Sequence, residues 1–297
     1  MSQETQDATA GAALEVAASD PSILDAVLRE VCEGVQQVPA EPSVMSRVRE
    51  ISEDERAGAR EIAAVIGHDP SLAGALLRYS NSAMYRGLKP VADLPTAVSR
   101  LGFKMVIATM MAEMSRAIYR FDDAQDGEMY KILWQHSVAC AETARTIARM
   151  IRYPEPEQAF LAGLVHDIGK AATLVSLANL RSRGKLAWPR EVALEFIEET
   201  HAIVGCEMLK RWRMPPEICN LIRDHHREIS PTSSDTALAL LQFSDIVCRK
   251  LGWSANPNPN TSLLAEPSAT VLRLGDLTIA SVLVDLEETI PKIINEI

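Results

Sequence analysis

Apolar side chains recur at intervals of three and four residues along most of this chain, and no segment alternates like a convincing strand. In the front half this spacing is clear across residues 24–31. Asp20-Pro21 and Asp69-Pro70 each place an N-cap aspartate before a proline, which is typical of helix starts. Aromatic residues are only 5% of the chain while alanine and leucine abound, which also favours helices. The sequence therefore predicts an all-α protein.

Composition divides the chain into four parts. Residues 1–19 are rich in small, polar and acidic residues, which predicts a flexible tail. Residues 20–120 are expected to form an N-terminal helical lobe, and the acidic run FDDAQDGE at 121–128 is the best boundary. The helices lengthen in the second lobe, a bundle across 121–252. A proline-rich loop and a C-terminal helix packed on the body are expected across 253–297.

The charge balance and the cysteine content narrow the function classes. The chain has 40 acidic and 30 basic side chains, so its net charge of −10 leaves no basic excess for nucleic-acid phosphates. No apolar run approaches the roughly 18 residues of a membrane helix, and the start lacks a signal-peptide pattern. Five scattered cysteines without a CxxC pair indicate reduced thiols. We therefore expect a cytoplasmic protein that binds neither nucleic acid nor a membrane.

Histidines concentrate in the back half, which holds five of the six. Asp167 follows one of them directly, and Asp245 lies within an otherwise apolar helical face. Imidazole and carboxylate together suit a first-row transition metal, and a carboxylate can also bridge two ions. A lone histidine on a helix is usually an ordinary core or surface residue, so spacing alone leaves a metal site and a plain helical core as equal alternatives. The five histidines are His136, His166, His201, His225 and His226.

The segment LAGLVHDIGK at 161–170 resembles the signature of the HD superfamily of helical metal-dependent phosphohydrolases. In that pattern an earlier His and a later Asp complete the set, and His136 in WQHS and Asp245 in FSDIV fill those places. In the front half, VPAEPSVMSRVREI, HDPSLAGALLRYSNSAMY and LPTAVSRLGFKMV are similar to the HDOD family, a group of bacterial regulatory modules. The resemblance covers about residues 30–250 and implies an HD-type helical bundle for the second lobe.

The resemblance also implies a site for two divalent transition-metal ions, such as Fe or Mn. His136, His166 and Asp245 would hold one ion, His201, His225 and His226 the other, and Asp167 would bridge them. Lys170 of HDIGK would face a phosphate as a cation, so Asp167 and Lys170 are the expected catalytic residues.

Two departures distinguish this chain from the related HD-GYP enzymes, which cleave cyclic di-GMP. Those enzymes follow the histidine pair with a DGxGYP-type segment, whereas this chain has Arg227 to Pro231 there. Ile132 stands where some of them have a glutamate for a third metal.

These observations leave functions from different classes open. The leading hypothesis is a cytoplasmic bacterial signal-transduction module of the HDOD type that acts through signalling-protein partners. The alternative is an active metal-dependent phosphohydrolase that acts on a nucleotide or a phosphodiester. In a third hypothesis, the metals only hold the helices together. A nucleotide or phosphate ligand and a homodimer are compatible with all three, and whether the chain is an enzyme stays undecided.

Overall fold

The computed structural model describes residues 22, 25–29, 43–52, 58–82, 85, 87–119, 127–184 and 188–296. Across these residues every regular element is helical and no strand occurs, which confirms the predicted all-α class. The predicted tail at 1–19 lies outside the described residues, and so does most of the predicted boundary at 121–128.

In the front half, the helix start predicted at Asp69-Pro70 is confirmed, whereas the one predicted at Asp20-Pro21 lies outside the described residues. Asp69 caps the third helix, because its side chain accepts hydrogen bonds from the backbone N–H groups of Ser71 and Leu72 at 2.9 and 3.1 Å. Gly102, which precedes Phe103 between two helical apolar runs, predicts a helix stop, and the fourth helix indeed departs from helical geometry there, with φ of +74°. The front helices are α1 (Ser43–Ser52), α2 (Ala59–Ile66), α3 (Pro70–Asn81) and α4 (Leu94–Tyr119).

Three helices of the back half have 21, 22 and 24 residues, but the longest described helix, Leu94–Tyr119 with 26 residues and a kink at Gly102, is in the front half. The structure also corrects two helix bounds expected from the sequence. The apolar spacing of the sequence predicts separate helices over 190–198 and 201–212, but the two segments form one helix, since no residue between them interrupts the backbone. The sequence also predicts a helix over 215–226, but this helix ends at Arg223, which leaves the histidine pair in the following turn. The back helices are α5 (Gly127–Met150), α6 (Pro156–Val165), α7 (Ile168–Ser182), α8 (Arg190–Arg211), α9 (Pro216–Arg223), α10 (Thr236–Lys250), α11 (Pro267–Val271) and α12 (Asp276–Glu296).

Two apolar clusters form the core. The larger one joins the two halves, since it contains Met45 and Ile66 from the front and Phe196 and Trp212 from the back. The smaller one packs α12 against α5 and α10, with Leu286 fully buried. The C-terminal helix thus covers the helices that carry part of the site described below.

One stretch, residues 156–182, is long and apolar enough by length and composition to cross a membrane. The expectation that no such run exists is therefore wrong. The stretch consists of α6 and α7, which a break at His166-Asp167 separates. Because 94% of its most apolar window is buried inside the protein, it has the environment of core helices.

Two glycines allow the helices of the back half to approach closely. A Cβ at Gly163 on α6 would lie 2.7 Å from the carbonyl oxygen of Cys140 on α5. A Cβ at Gly169 on α7 would lie 1.9 Å from the carbonyl oxygen of His201 on α8. No side chain fits at either position, so α6–α7 lies directly against the backbones of α5 and α8.

Candidate metal centre

The seven ligands expected from the sequence come together at one place between the helices of the back half. Most of them are buried, Asp245 is half-buried, and His226 is exposed and marks the open side of the cluster. Their positions are His136 on α5, His166 and Asp167 at the break between α6 and α7, His201 on α8, His225 and His226 after α9, and Asp245 on α10.

Asp167 lies at the middle of the cluster, with a different pair of histidines at each carboxylate oxygen. Its Oδ2 is 3.5 Å from Nε2 of His136 and 3.4 Å from Nε2 of His166. Its Oδ1 is 3.3 Å from Nε2 of His201 and 3.8 Å from Nε2 of His225. A carboxylate that faces two separate imidazole groups in this way has the arrangement of a bridging ligand.

The nitrogens within each group have the spacing of ligands that share an ion. Nε2 of His136 is 3.3 Å from Nε2 of His166, and Nε2 of His201 is 3.3 Å from Nε2 of His225. Nε2 of His226 is 2.9 Å from Nε2 of His201. With bonds of about 2.0–2.1 Å, two nitrogen ligands lie about 3.3 Å apart at a tetrahedral angle and about 2.9 Å apart at a right angle. Asp245 completes the first group, with Oδ1 3.3 Å from Nε2 of His136.

Backbone carbonyls orient four of the rings. In each ring Nδ1 lies within hydrogen-bond distance of a carbonyl oxygen, so the proton is assigned to Nδ1 and the Nε2 lone pair points into the cluster. Carbonyl partners of this kind fix the rings of metal-binding histidines. The pairs are His136 with Trp253 (2.6 Å), His166 with Gly163 (2.8 Å), His201 with Ile197 (3.0 Å) and His225 with Ile222 (2.6 Å).

The electrostatics favour positive charge between the carboxylates. Burial alone would raise the pKa of Asp167, but His166 and Lys170 outweigh it and hold that pKa well below its usual range. Burial would also raise the pKa of Asp245, but the hydrogen bond between Asp245 and His136 outweighs burial and lowers that pKa to about 2. Burial lowers the pKa of His225 to about 4, which keeps that ring neutral and able to donate a lone pair.

Among the five clustered histidines, His136 alone has a raised pKa. Burial by itself lowers its pKa, but the hydrogen bond with Asp245 and the charge of Asp167 raise the pKa to about 9. Its Nε2 is thus a position at which the two carboxylates stabilise a cation, whether a proton or a metal ion.

Lys170 lies beside the cluster on α7, and its ammonium group contacts two carboxylates. Its Nζ is 3.1 Å from Oδ2 of Asp167 and 3.0 Å from Oε2 of Glu198 on α8. The sequence indicated the lysine but not its second partner, because that contact depends on the close packing of α7 against α8.

Cys140 is a neighbour of the cluster that the sequence analysis missed, although its place one helical turn after His136 would have indicated it. Its Sγ is 3.6 Å from Nε2 and 3.8 Å from Nδ1 of His136. These nearly equal distances put the sulfur over the ring and not along the lone pair of Nε2. Burial also raises the pKa of Cys140 well above its ordinary value, which favours a neutral thiol over a metal-binding thiolate.

Gln242 on α10 holds the turn that follows the histidine pair. Nε2 of Gln242 donates hydrogen bonds to the carbonyl oxygens of His225 at 2.9 Å and Arg227 at 2.7 Å. Arg227 also pairs with Asp235 at 3.0 Å. At the start of the segment from Arg227 to Pro231, the carbonyl oxygen of Arg227 is therefore bound by Gln242 and its side chain by Asp235.

The family model of the HDOD domain matches residues 38–228, which is more than half of the chain. Among curated proteins, an uncharacterised protein of Treponema pallidum (strain Nichols) is 24% identical over 235 residues, which are 74% of this chain. This chain spans only 44% of the length of that relative.

Solved structures share the fold. An HDOD domain protein of unknown function from Geobacter sulfurreducens gives a TM-score of 0.68 at 22% identity, covering 93% of this chain and 97% of that one. A candidate metal-dependent phosphohydrolase from Shewanella amazonensis SB2B gives 0.64 at 16% identity, covering 85% and 97%. A candidate signal transduction protein from Marinobacter aquaeolei VT8 gives 0.65 at 21% identity, covering 95% and 66%. At these identities the likeness establishes the fold alone.

Proposed function

Since this chain belongs to the HDOD family, we propose that it is a regulatory module of bacterial signal transduction that holds two divalent transition-metal ions of the Fe or Mn class. It acts in the cytoplasm through signalling-protein partners. The observation that carries the metal proposal is the position of Asp167, whose two oxygens face two separate groups of histidine nitrogens.

The donor set fits such ions. Imidazole nitrogen and carboxylate oxygen are the ligands that Fe and Mn accept, and the carbonyl partners leave the Nε2 atoms free to bind. His136, His166 and Asp245 would hold one ion, His201, His225 and His226 the other, and Asp167 both. When bound, two adjacent ions supply a deprotonated water and positive charge for a phosphate ester.

The residues around the proposed metal centre favour a regulatory role over a catalytic one. A hydrolase must also position its substrate, and the segment from Arg227 to Pro231 replaces the one expected to line a dinucleotide pocket. Lys170 could stabilise charge on a phosphate, but Glu198 already pairs with it. Helices around the proposed centre also contribute to the apolar core that joins the two halves. Gain or loss of the ions would therefore alter the packing between the halves, and a partner protein that contacts both halves would respond to that change.

The alternative is a metal-dependent phosphohydrolase that acts on a nucleotide or a phosphodiester. A specific observation favours it: Lys170 lies 3.1 Å from Asp167, at the edge of the centre where a phosphate would meet the ions. In that reaction Lys170 would hold the phosphate and Asp167 would keep the two ions together.

A turnover screen separates the two functions. Protein loaded with Mn²⁺ or Fe²⁺ is assayed against cyclic di-GMP, other phosphodiesters and nucleotides, with Asp167→Ala as the inactive control. The regulatory proposal expects bound metal without substantial turnover of any of them. Turnover that disappears in Asp167→Ala would contradict it and establish the phosphohydrolase.

A further inference from the structure

The ion pair between Lys170 and Glu198 lies on the solvent side of the proposed centre. The side chain of Lys170 is 14% exposed, that of Glu198 is 47% exposed, and that of Asp167 is 3% exposed. Lys170 therefore pairs with one buried carboxylate and one exposed carboxylate. An anion that binds Lys170 would lie close to the negative charge of Glu198.

The backbone holds both ends of this pair. Glu198 is one helical turn before His201 on α8, and Lys170 directly follows Gly169 on α7. Gly169 touches the backbone of His201 so closely that no Cβ fits between them. The separation of the two helices is thus fixed where the pair forms, unlike that of most surface ion pairs.

The charge of Lys170 is already neutralised in this arrangement. Burial opposes its charge, but Asp167 and Glu198 raise the pKa of Lys170 above its ordinary value, so it stays a cation. Two carboxylates face this one ammonium group. A phosphate could bind Lys170 only by displacing Glu198 or by lying close to the negative charge of Glu198, which would repel it.

We propose that Glu198 is an anionic gate, a specificity-determining residue that disfavours phosphate groups at Lys170 in proportion to their negative charge. Dianionic phosphates and monoesters are excluded most strongly, and singly charged phosphodiesters are excluded least. This inference rests on the proposed function, because it takes Lys170 to be the cation that meets a phosphate beside the metal ions.

The test compares Glu198→Gln with Glu199→Gln, which removes the same charge from the next exposed position of α8. Metal content is measured for each Mn²⁺-loaded protein, and calorimetry then gives the affinity for inorganic phosphate and for dimethyl phosphate. We expect Glu198→Gln to tighten phosphate binding about ten-fold and dimethyl phosphate binding less, with Glu199→Gln within about two-fold of the wild type.

Two different failures are distinguishable. If the wild type binds no metal, the proposed function fails and the gate fails with it. If all three proteins bind metal but Glu198→Gln matches Glu199→Gln in phosphate affinity, the gate alone is overturned. Equal tightening of phosphate and dimethyl phosphate would also overturn the gate, because it would remove the dependence on ligand charge.

Discussion

The close contact between α7 and α8 makes Gly169→Ala the most informative single substitution for the packing of the centre. The added Cβ would lie 1.9 Å from the carbonyl oxygen of His201 and 2.6 Å from the backbone nitrogen of Gly205. Both contacts are with backbone, so no side chain can rotate away to relieve them. The two helices must separate, which moves Asp167 away from His201.

The size of the effect follows from these contacts. Overpacking a core costs about 1–3 kcal/mol when neighbours can adjust, so a clash with rigid backbone should cost at least about 3 kcal/mol of the free energy of unfolding. For a chain of this size each kcal/mol lowers the melting temperature by about 2–4 °C. We therefore expect melting about 6–12 °C below the wild type, followed by far-UV circular dichroism, together with reduced metal content.

Gly74→Ala is the matched control. It makes the same substitution inside α3, where the nearest neighbour of the new Cβ is the flexible end of Arg78 at 3.4 Å. Because alanine favours helices by up to about 1 kcal/mol over glycine, this variant should melt at or slightly above the wild-type temperature. If Gly169→Ala melts within about 1 °C of the wild type, the direct backbone contact and the positioning of Asp167 through it are both refuted.

Other expected outcomes concern the metal, the core and the activity. Asp167→Ala should lower the melting temperature by the equivalent of several kcal/mol, because it removes the shared ions, and a chelator should lower the melting temperature of the wild type for the same reason. Equal melting of the variant, the chelated wild type and the untreated wild type would contradict this. Arg145→Met should lower the free energy of unfolding by about 3–5 kcal/mol, because it leaves the buried Glu142 without its ion-pair partner. A urea titration measures this change, and an unchanged midpoint would contradict the ion pair. Cyclic di-GMP should be hydrolysed weakly or not at all by Mn²⁺-loaded protein, since Arg227 to Pro231 does not provide the expected pocket, and rapid cleavage would refute that reasoning.

The helical class could be predicted from the sequence because it depends on a local pattern. The set of clustered residues could be predicted only through the resemblance to the HD superfamily, since spacing alone left a metal site and a plain helical core as equal alternatives. Apolar periodicity marks the helices, and the motif around His166 and Asp167 indicates a known type of site. Helical spacing of the methionines on α4 likewise predicts a core stripe, and Met105, Met110, Met111 and Met114 are all buried.

The outer contacts of the centre could not be predicted in this way. The carbonyl oxygens that orient the rings, such as that of Trp253, belong to the backbone and have no sequence signature. The pairing of Lys170 with Glu198 depends on the distance between α7 and α8, which Gly169 permits but which no residue type specifies. The sequence predicts a helix over 215–226, which is too long because no glycine or proline marks its end, whereas the backbone turns after Arg223 and directs His225 and His226 at the centre.

Metal content per chain tests the central claim most directly. Elemental analysis of the purified protein, with Mn²⁺ or Fe²⁺ supplied, should find two ions in the wild type. His136→Ala and His201→Ala should each lose one ion, whereas Asp167→Ala should lose both, and His68→Ala, at an exposed position, should keep both. A wild type without bound metal, or an Asp167→Ala variant with the wild-type content, would contradict the account of Asp167 as the bridge of a two-metal centre.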